Sequence, residues 1–120
     1  MSGKSDFKPP VALLVEGWEQ QRTDFRVRVL ATDGRCLVHD NPAECSGRIE
    51  AHHVTYRQVL RRAGRIDLEW SPLNGMTTCD RAHTLHHSRL EPIPLSRVPA
   101  RCVDFAREHG FLHILERLYP

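Results

Sequence analysis

At 120 residues and 13.8 kDa the chain has room for one domain with at most a short appendage, and none for two independent cores. Forty per cent hydrophobic and 27% charged residues exclude a disordered chain, and no apolar run reaches membrane-spanning length. The net charge of +2 is too small to mark a nucleic-acid binder by itself; the unusual feature is eight histidines and four cysteines in so short a sequence.

Residues 1–18 are expected to form a flexible leader. They start polar, pass through Pro9-Pro10, and hold a Val11–Val15 run too short to classify by period. The first residues lack an apolar signal core, which predicts a cytoplasmic protein. In that compartment Cys36, Cys45, Cys79 and Cys102 are metal ligands, reactive thiols or core residues rather than disulfides. From Glu19 to Thr32 the pattern fits helix or strand, with a helix ending at Asp33-Gly34 preferred. Residues 35–54, with Asn41-Pro42 and Gly47, read as a turn-rich hairpin.

Thr55 and Gln58 have capping-box spacing, and Tyr56, Val59, Leu60 and Ala63 follow at helical period until Gly64. Arg57, Arg61 and Arg62 occupy the opposite face with Arg65 beyond it, either as a solvated surface or as phosphate contacts. Only Lys4 and Lys8 of the 17 basic residues are lysines, a bias that genome composition or phosphate recognition would produce. Trp70–Gly75 reads as a turn, Met76–Thr78 as a short bridge, and Asp80–Arg89 as a helix. Pro92, Pro94 and Pro99 mark a linker. A helical tail follows, with Val98, Cys102, Phe105, Ala106 and His109 sharing its first face and Phe111, Ile114, Leu115 and Leu118 forming a second, short apolar one, with Gly110 between.

Three groups of residues could carry chemistry. His52-His53 are neighbours whose rings would leave a strand on opposite faces. His83 and His87, four apart, would stack on one helix face and could clamp one ion, with His86 as an alternative; exposed helix histidines are the plainer reading. Cys36, Cys45 and Cys79 with His39 make four nitrogen and sulfur ligands, the number of a closed tetrahedral zinc site. Cys102 reads as a buried core thiol.

The run Arg48-Ile49-Glu50-Ala51-His52-His53-Val54, then Asn74, Cys79, His83 and His87, resembles the HNH endonuclease family, the ββα-metal nucleases. In that family's spacing the asparagine precedes a cysteine and two helix histidines, an order that Asn74, Cys79, His83 and His87 reproduce. Val29–Cys36 is similar to the family's lead-in helix running into Asp-Gly-x-Cys, and the likeness covers about residues 25–90. The resemblance implies an α+β fold. A ββα-metal core with structural zinc over 19–90 would be flanked by an N-terminal helix and a helical tail over 91–120 packed on it.

It also implies roles. His53 would be the general base and Asn74 would hold its segment. His52, His83 and His87 would hold a catalytic Mg²⁺, Mn²⁺, Ni²⁺, Co²⁺ or Zn²⁺ ion. Cys36, His39, Cys45 and Cys79 would hold zinc; Ala82 stands where zinc-bearing members have a further cysteine, which leaves the fourth ligand between His39 and a helix histidine. His39 is preferred because it lies outside the catalytic set. Arg57, Arg61, Arg62, Arg65, Arg81 and Arg89 would contact DNA phosphates. His86, His109 and His113 are left as bystanders. The implied activity is DNA phosphodiester hydrolysis, in the manner of stand-alone phage or prophage nucleases. A zinc-stabilised DNA-binding module without catalysis is the alternative.

Overall fold

The computed structural model describes residues 10–120 as an α+β fold of five helices and one two-stranded antiparallel sheet. Helix α1 spans Pro10–Asp33. The leader expected over 1–18 therefore ends sooner, since 10–18 are already helical; its first nine residues lie outside the described region. A proline suits a first helical turn, where its missing N–H has no partner to lose. The helix stops at Gly34, whose φ of +73° is the left-handed geometry of a helix end, as the Asp33-Gly34 signal predicts.

Strand β1, Ile49–His53, pairs with β2, Gly75–Cys79, in a register running from Ile49 opposite Cys79 to His53 opposite Gly75. The hairpin expected within 35–54 is thus not local. Its first part instead holds a 3-10 turn over Pro42–Glu44, capped by the Asn41 side chain, and β1 finds its partner only after an intervening helix. Phe25 and Val29, one helical turn apart, press α1 onto β2. A Cβ at Gly75 would lie 2.4 Å from Val29 Cγ2 and 2.8 Å from Phe25 Cζ, so glycine is what allows this approach.

Helix α2, Arg57–Arg62, and two 3-10 turns at Ile66–Leu68 and Pro72–Asn74 connect the strands. The capping box expected at Thr55 is not formed. Tyr56 takes the cap position without a side-chain bond, because Asn74 has already claimed both backbone groups of Thr55. Helix α3, Asp80–His87, follows β2 directly and ends two residues before the expected Arg89, which turns into the left-handed region at φ 66°. The proline-rich segment after it contains one 3-10 turn, Leu95–Arg97.

Helices α4, Ala100–His109, and α5, Leu112–Leu118, are joined through Gly110. They are no appendage. Most of the main buried cluster comes from residues 93–119, where Cys102, Phe105, Leu115 and Tyr119 close over Val54, Leu60 and Met76. Cys102 is the core thiol the sequence suggests, with burial pushing its pKa up to about 12. Among the described residues, no helix is long and apolar enough to cross a membrane.

Candidate metal centres

Among the described residues two groups of metal-ligating side chains form, one using Cys79 at the end of β2 and the other using α3, which follows it directly. In the first, one ligand atom each from Cys36, His39, Cys45 and Cys79 lie within 4.8 Å of one another. His39 Nδ1 is 3.5 Å from Cys45 Sγ and 3.8 Å from Cys79 Sγ. A tetrahedral ion with sulfur and nitrogen ligands separates its donors by about 3.5–3.8 Å, so the spacing fits one ion. His39, rather than a helix histidine, is the fourth member of this group.

The surroundings suit thiolates. Cys79 N–H donates to Cys36 Sγ at 3.2 Å, and Ala82 N–H donates to Cys79 Sγ at 3.4 Å. Burial opposes ionisation of Cys79, but the N–H groups of Ala82 and Ser46 and its bonds with Cys45 and Cys36 bring its pKa below the ordinary thiol value. Burial and the two neighbouring thiols push Cys45 up to about 12. Three thiols this close cannot all ionise unaided, and a divalent cation removes the conflict. The loop is braced from outside: Arg35 donates to the carbonyls of Cys36 and His39, and Arg97 grips the Asp40 carboxylate at 2.6 and 2.9 Å. That contact keeps the Asp40 pKa below its usual value.

The second group is His52, His83 and His87, again with ligand atoms within 4.8 Å of one another. His52 enters from β1, buried, and the other two from successive turns of α3, with ring centroids 5.3 Å from His52 and 4.5 Å apart. Neighbouring groups fix which ring nitrogen is free. Tyr119 Oη donates to the Val54 carbonyl at 2.7 Å, so at 2.8 Å it can only accept from His52 Nε2–H. The Nδ1 lone pair of His52 is left for an ion. His83 Nδ1 donates to Glu50 Oε1 at 2.9 Å, which frees His83 Nε2. Burial and the adjacent imidazoles lower the pKa of His52 and His87, keeping them as neutral ligands. This cluster is half open, for His87 is exposed.

His53 leaves β1 on the other face. It stacks on Phe25 at 4.3 Å, and its Nε2–H donates to the Glu69 carbonyl at 2.8 Å, leaving Nδ1 unprotonated. Burial lowers its pKa to about 4, against a smaller opposing pull from that carbonyl. Asn74 is buried and staples the next two residues: its carbonyl accepts from Val54 N–H, and its side chain accepts from Thr55 N–H and donates to Thr55 O, both at 2.8 Å.

His86 is not a bystander. It is fully buried, accepts from Ile93 N–H through Nδ1, bonds the Tyr56 hydroxyl through Nε2, and stacks on Tyr119 at 4.7 Å. Both nitrogens are committed, so it cannot substitute as a ligand. His109 packs on Phe105 and His113 is exposed; neither joins a metal-ligating group among the described residues.

The arginines divide differently from the expectation. Arg57 and Arg61 both bond the buried Glu69 carboxylate, Arg65 pairs with Asp67, and Arg81 donates to the Glu44 carbonyl. A carboxylate that is 1% exposed needs such partners, so Arg57 and Arg61 are structural before anything else, whereas Arg65 pairs with an exposed carboxylate at the surface. Of the six expected phosphate contacts, only Arg57 lines the groove of about 640 Å³ that exposes His53 and His83. Arg61, Arg62, Arg65, Arg81 and Arg89 do not line it. Arg22, Arg26 and Arg48 do, and the sequence reading missed them. The signal was present: Arg22 and Arg26 stand one helical turn apart on α1. Comparisons with protein-family models, curated proteins and solved structures find no match to this chain.

Proposed function

We propose that this chain is a metal-dependent DNA endonuclease of the HNH type, with a ββα-metal core built by β1, β2 and α3. One observation carries the reading. The strand pair and the helix bring His52, His83 and His87 to one point with a ligating nitrogen free on the two whose bonds fix it, while adjacent His53 presents an unprotonated Nδ1 to an arginine-lined groove.

In this mechanism the arginines of the groove bind the backbone, with Arg22, Arg26, Arg48 and Arg57 around one phosphodiester. His53 Nδ1 takes a proton from a water as its oxygen bonds phosphorus and the bond to the leaving ester oxygen breaks. The Glu69 carbonyl holds the ring so that only Nδ1 can accept, and Asn74 fixes the strand end that carries it. His52, His83 and His87 would hold a divalent ion of the Mg²⁺, Mn²⁺, Ni²⁺, Co²⁺ or Zn²⁺ group, which would supply Lewis-acid stabilisation of the phosphate and leaving oxygen. Cys36, His39, Cys45 and Cys79 would hold structural zinc, the divalent metal their mixed thiolate and imidazole set suits best.

Plasmid nicking with added Mg²⁺, Mn²⁺ or Ni²⁺ tests this. The parent nicks and His53→Ala loses at least about a hundredfold in rate; undiminished nicking by His53→Ala overturns the mechanism. DNA binding without nicking under every metal assigns the chain to the non-catalytic alternative.

A further inference from the structure

Beside the arginine-lined groove lies a second cleft, of about 510 Å³, between α1 and the two 3-10 turns before β2. Its walls are Trp18, Phe25, Ile66 and Trp70, and its rim carries Asp24 and Asp67. The rings stand edge to face, Trp18 on Trp70 at 5.5 Å and Phe25 on Trp70 at 5.8 Å. Ile66 is 66% exposed, a large apolar side chain left in water at the cleft edge. Phe25 and Trp70 line both spaces, so cleft and groove adjoin at these rings. Cations sit on the same rings: Arg57 lies 4.6 Å from the Trp70 centroid and Arg22 lies 5.5 Å from that of Trp18.

The combination is selective. The four guanidinium groups of the groove outnumber its carboxylates, Glu50 and Asp80, and take a chain of phosphates, while the adjoining aromatic cleft takes a flat group attached to that chain. On the rim, the Asp24 carboxylate would accept from exocyclic amines or ring N–H groups, while both Asp67 oxygens already accept from Arg65. A base inside a duplex is stacked on both faces and paired along its edge, so it can offer neither. We infer that the cleft receives an unpaired nucleobase of the bound strand, making the substrate single-stranded or locally unpaired nucleic acid; this rests on the nucleic-acid reading above and narrows it.

The two tryptophans of the chain, Trp18 and Trp70, both line this cleft, so intrinsic emission reports its occupancy directly. The experiment uses the zinc-loaded full chain without further divalent metal, to prevent cleavage. Three labelled probes of one length are titrated by anisotropy and tryptophan emission: a mixed-sequence single strand, its duplex, and an abasic strand that keeps the phosphates and lacks the bases. The single strand quenches emission and binds about tenfold more tightly than the abasic strand. Trp18→Ala removes most of that gap, and Trp18→Phe restores it. Equal binding of all three probes with unchanged emission overturns the inference and leaves the nucleic-acid reading standing. No binding by any probe overturns both. Emission that changes with protein concentration alone gives the cleft to a second copy of the chain and also overturns it.

Discussion

The two ligand clusters meet at the junction of β2 and α3 and differ in almost every other respect. The cysteine cluster gathers a loop, a strand end and a helix start, and backbone N–H groups of Cys79 and Ala82 point at its sulfurs. Its donor count is complete. The histidine cluster supplies three donors, leaves His87 exposed, and sets its lone pairs by acceptors behind the rings. A complete, inward-facing set holds segments together; an incomplete one leaves coordination positions for water or a ligand. One strand–helix junction can serve both because Cys79 ends the strand while His83 and His87 project from the helix that follows.

Breaking the closed cluster has the largest expected effect. Cys79→Ser, or chelation of its ion, abolishes cooperative unfolding in far-ultraviolet circular dichroism. Structural zinc contributes on the order of 10 kcal/mol, comparable to the whole stability of a small domain. A folded, zinc-free chain by elemental analysis would erase the contrast. Next, His83→Ala removes metal binding at the open cluster, read by calorimetry with Ni²⁺ or Co²⁺, and lowers nicking to background. Its stability changes by less than about 1 kcal/mol, because the His83–Glu50 contact is partly exposed. Tyr119→Phe keeps the stack on His86 but frees the His52 ring and the Val54 carbonyl. It weakens the open cluster for metal by about 10–100-fold and destabilises the chain by about 1–3 kcal/mol. The smallest effect belongs to His113→Ala, exposed on α5, which leaves both clusters intact and stability within about 0.5 kcal/mol.

Much of the ligand grouping was legible because it rests on local spacing. Residues four apart on a helix meet whatever surrounds them, which is why His83 and His87 could be paired on the sequence alone. The cysteines and His39 were legible as an inventory of donors. What depends on distant partners was not. Nothing near Ile49–His53 names Gly75–Cys79 as its partner strand, and a local hairpin was the natural reading. His86 differs from His87 by one residue, but that rotation takes it from solvent to the core, where Tyr56, Ile93 and Tyr119 wait from three other segments. Arg57 and Arg61 looked like a free basic face because Glu69, the buried carboxylate between them, comes from beyond the next turn.

The bond between Tyr119 and His52 joins residues 67 positions apart. It therefore sets an order in time during synthesis. A nascent chain that has emerged only through α3 already carries His52, His53, Asn74, His83 and His87. It lacks the hydroxyl that turns His52 toward its neighbours and the helices that bury it. The histidine cluster thus gains its last positioning contact only with residue 119, whereas all four donors of the cysteine cluster are present once Cys79 has emerged.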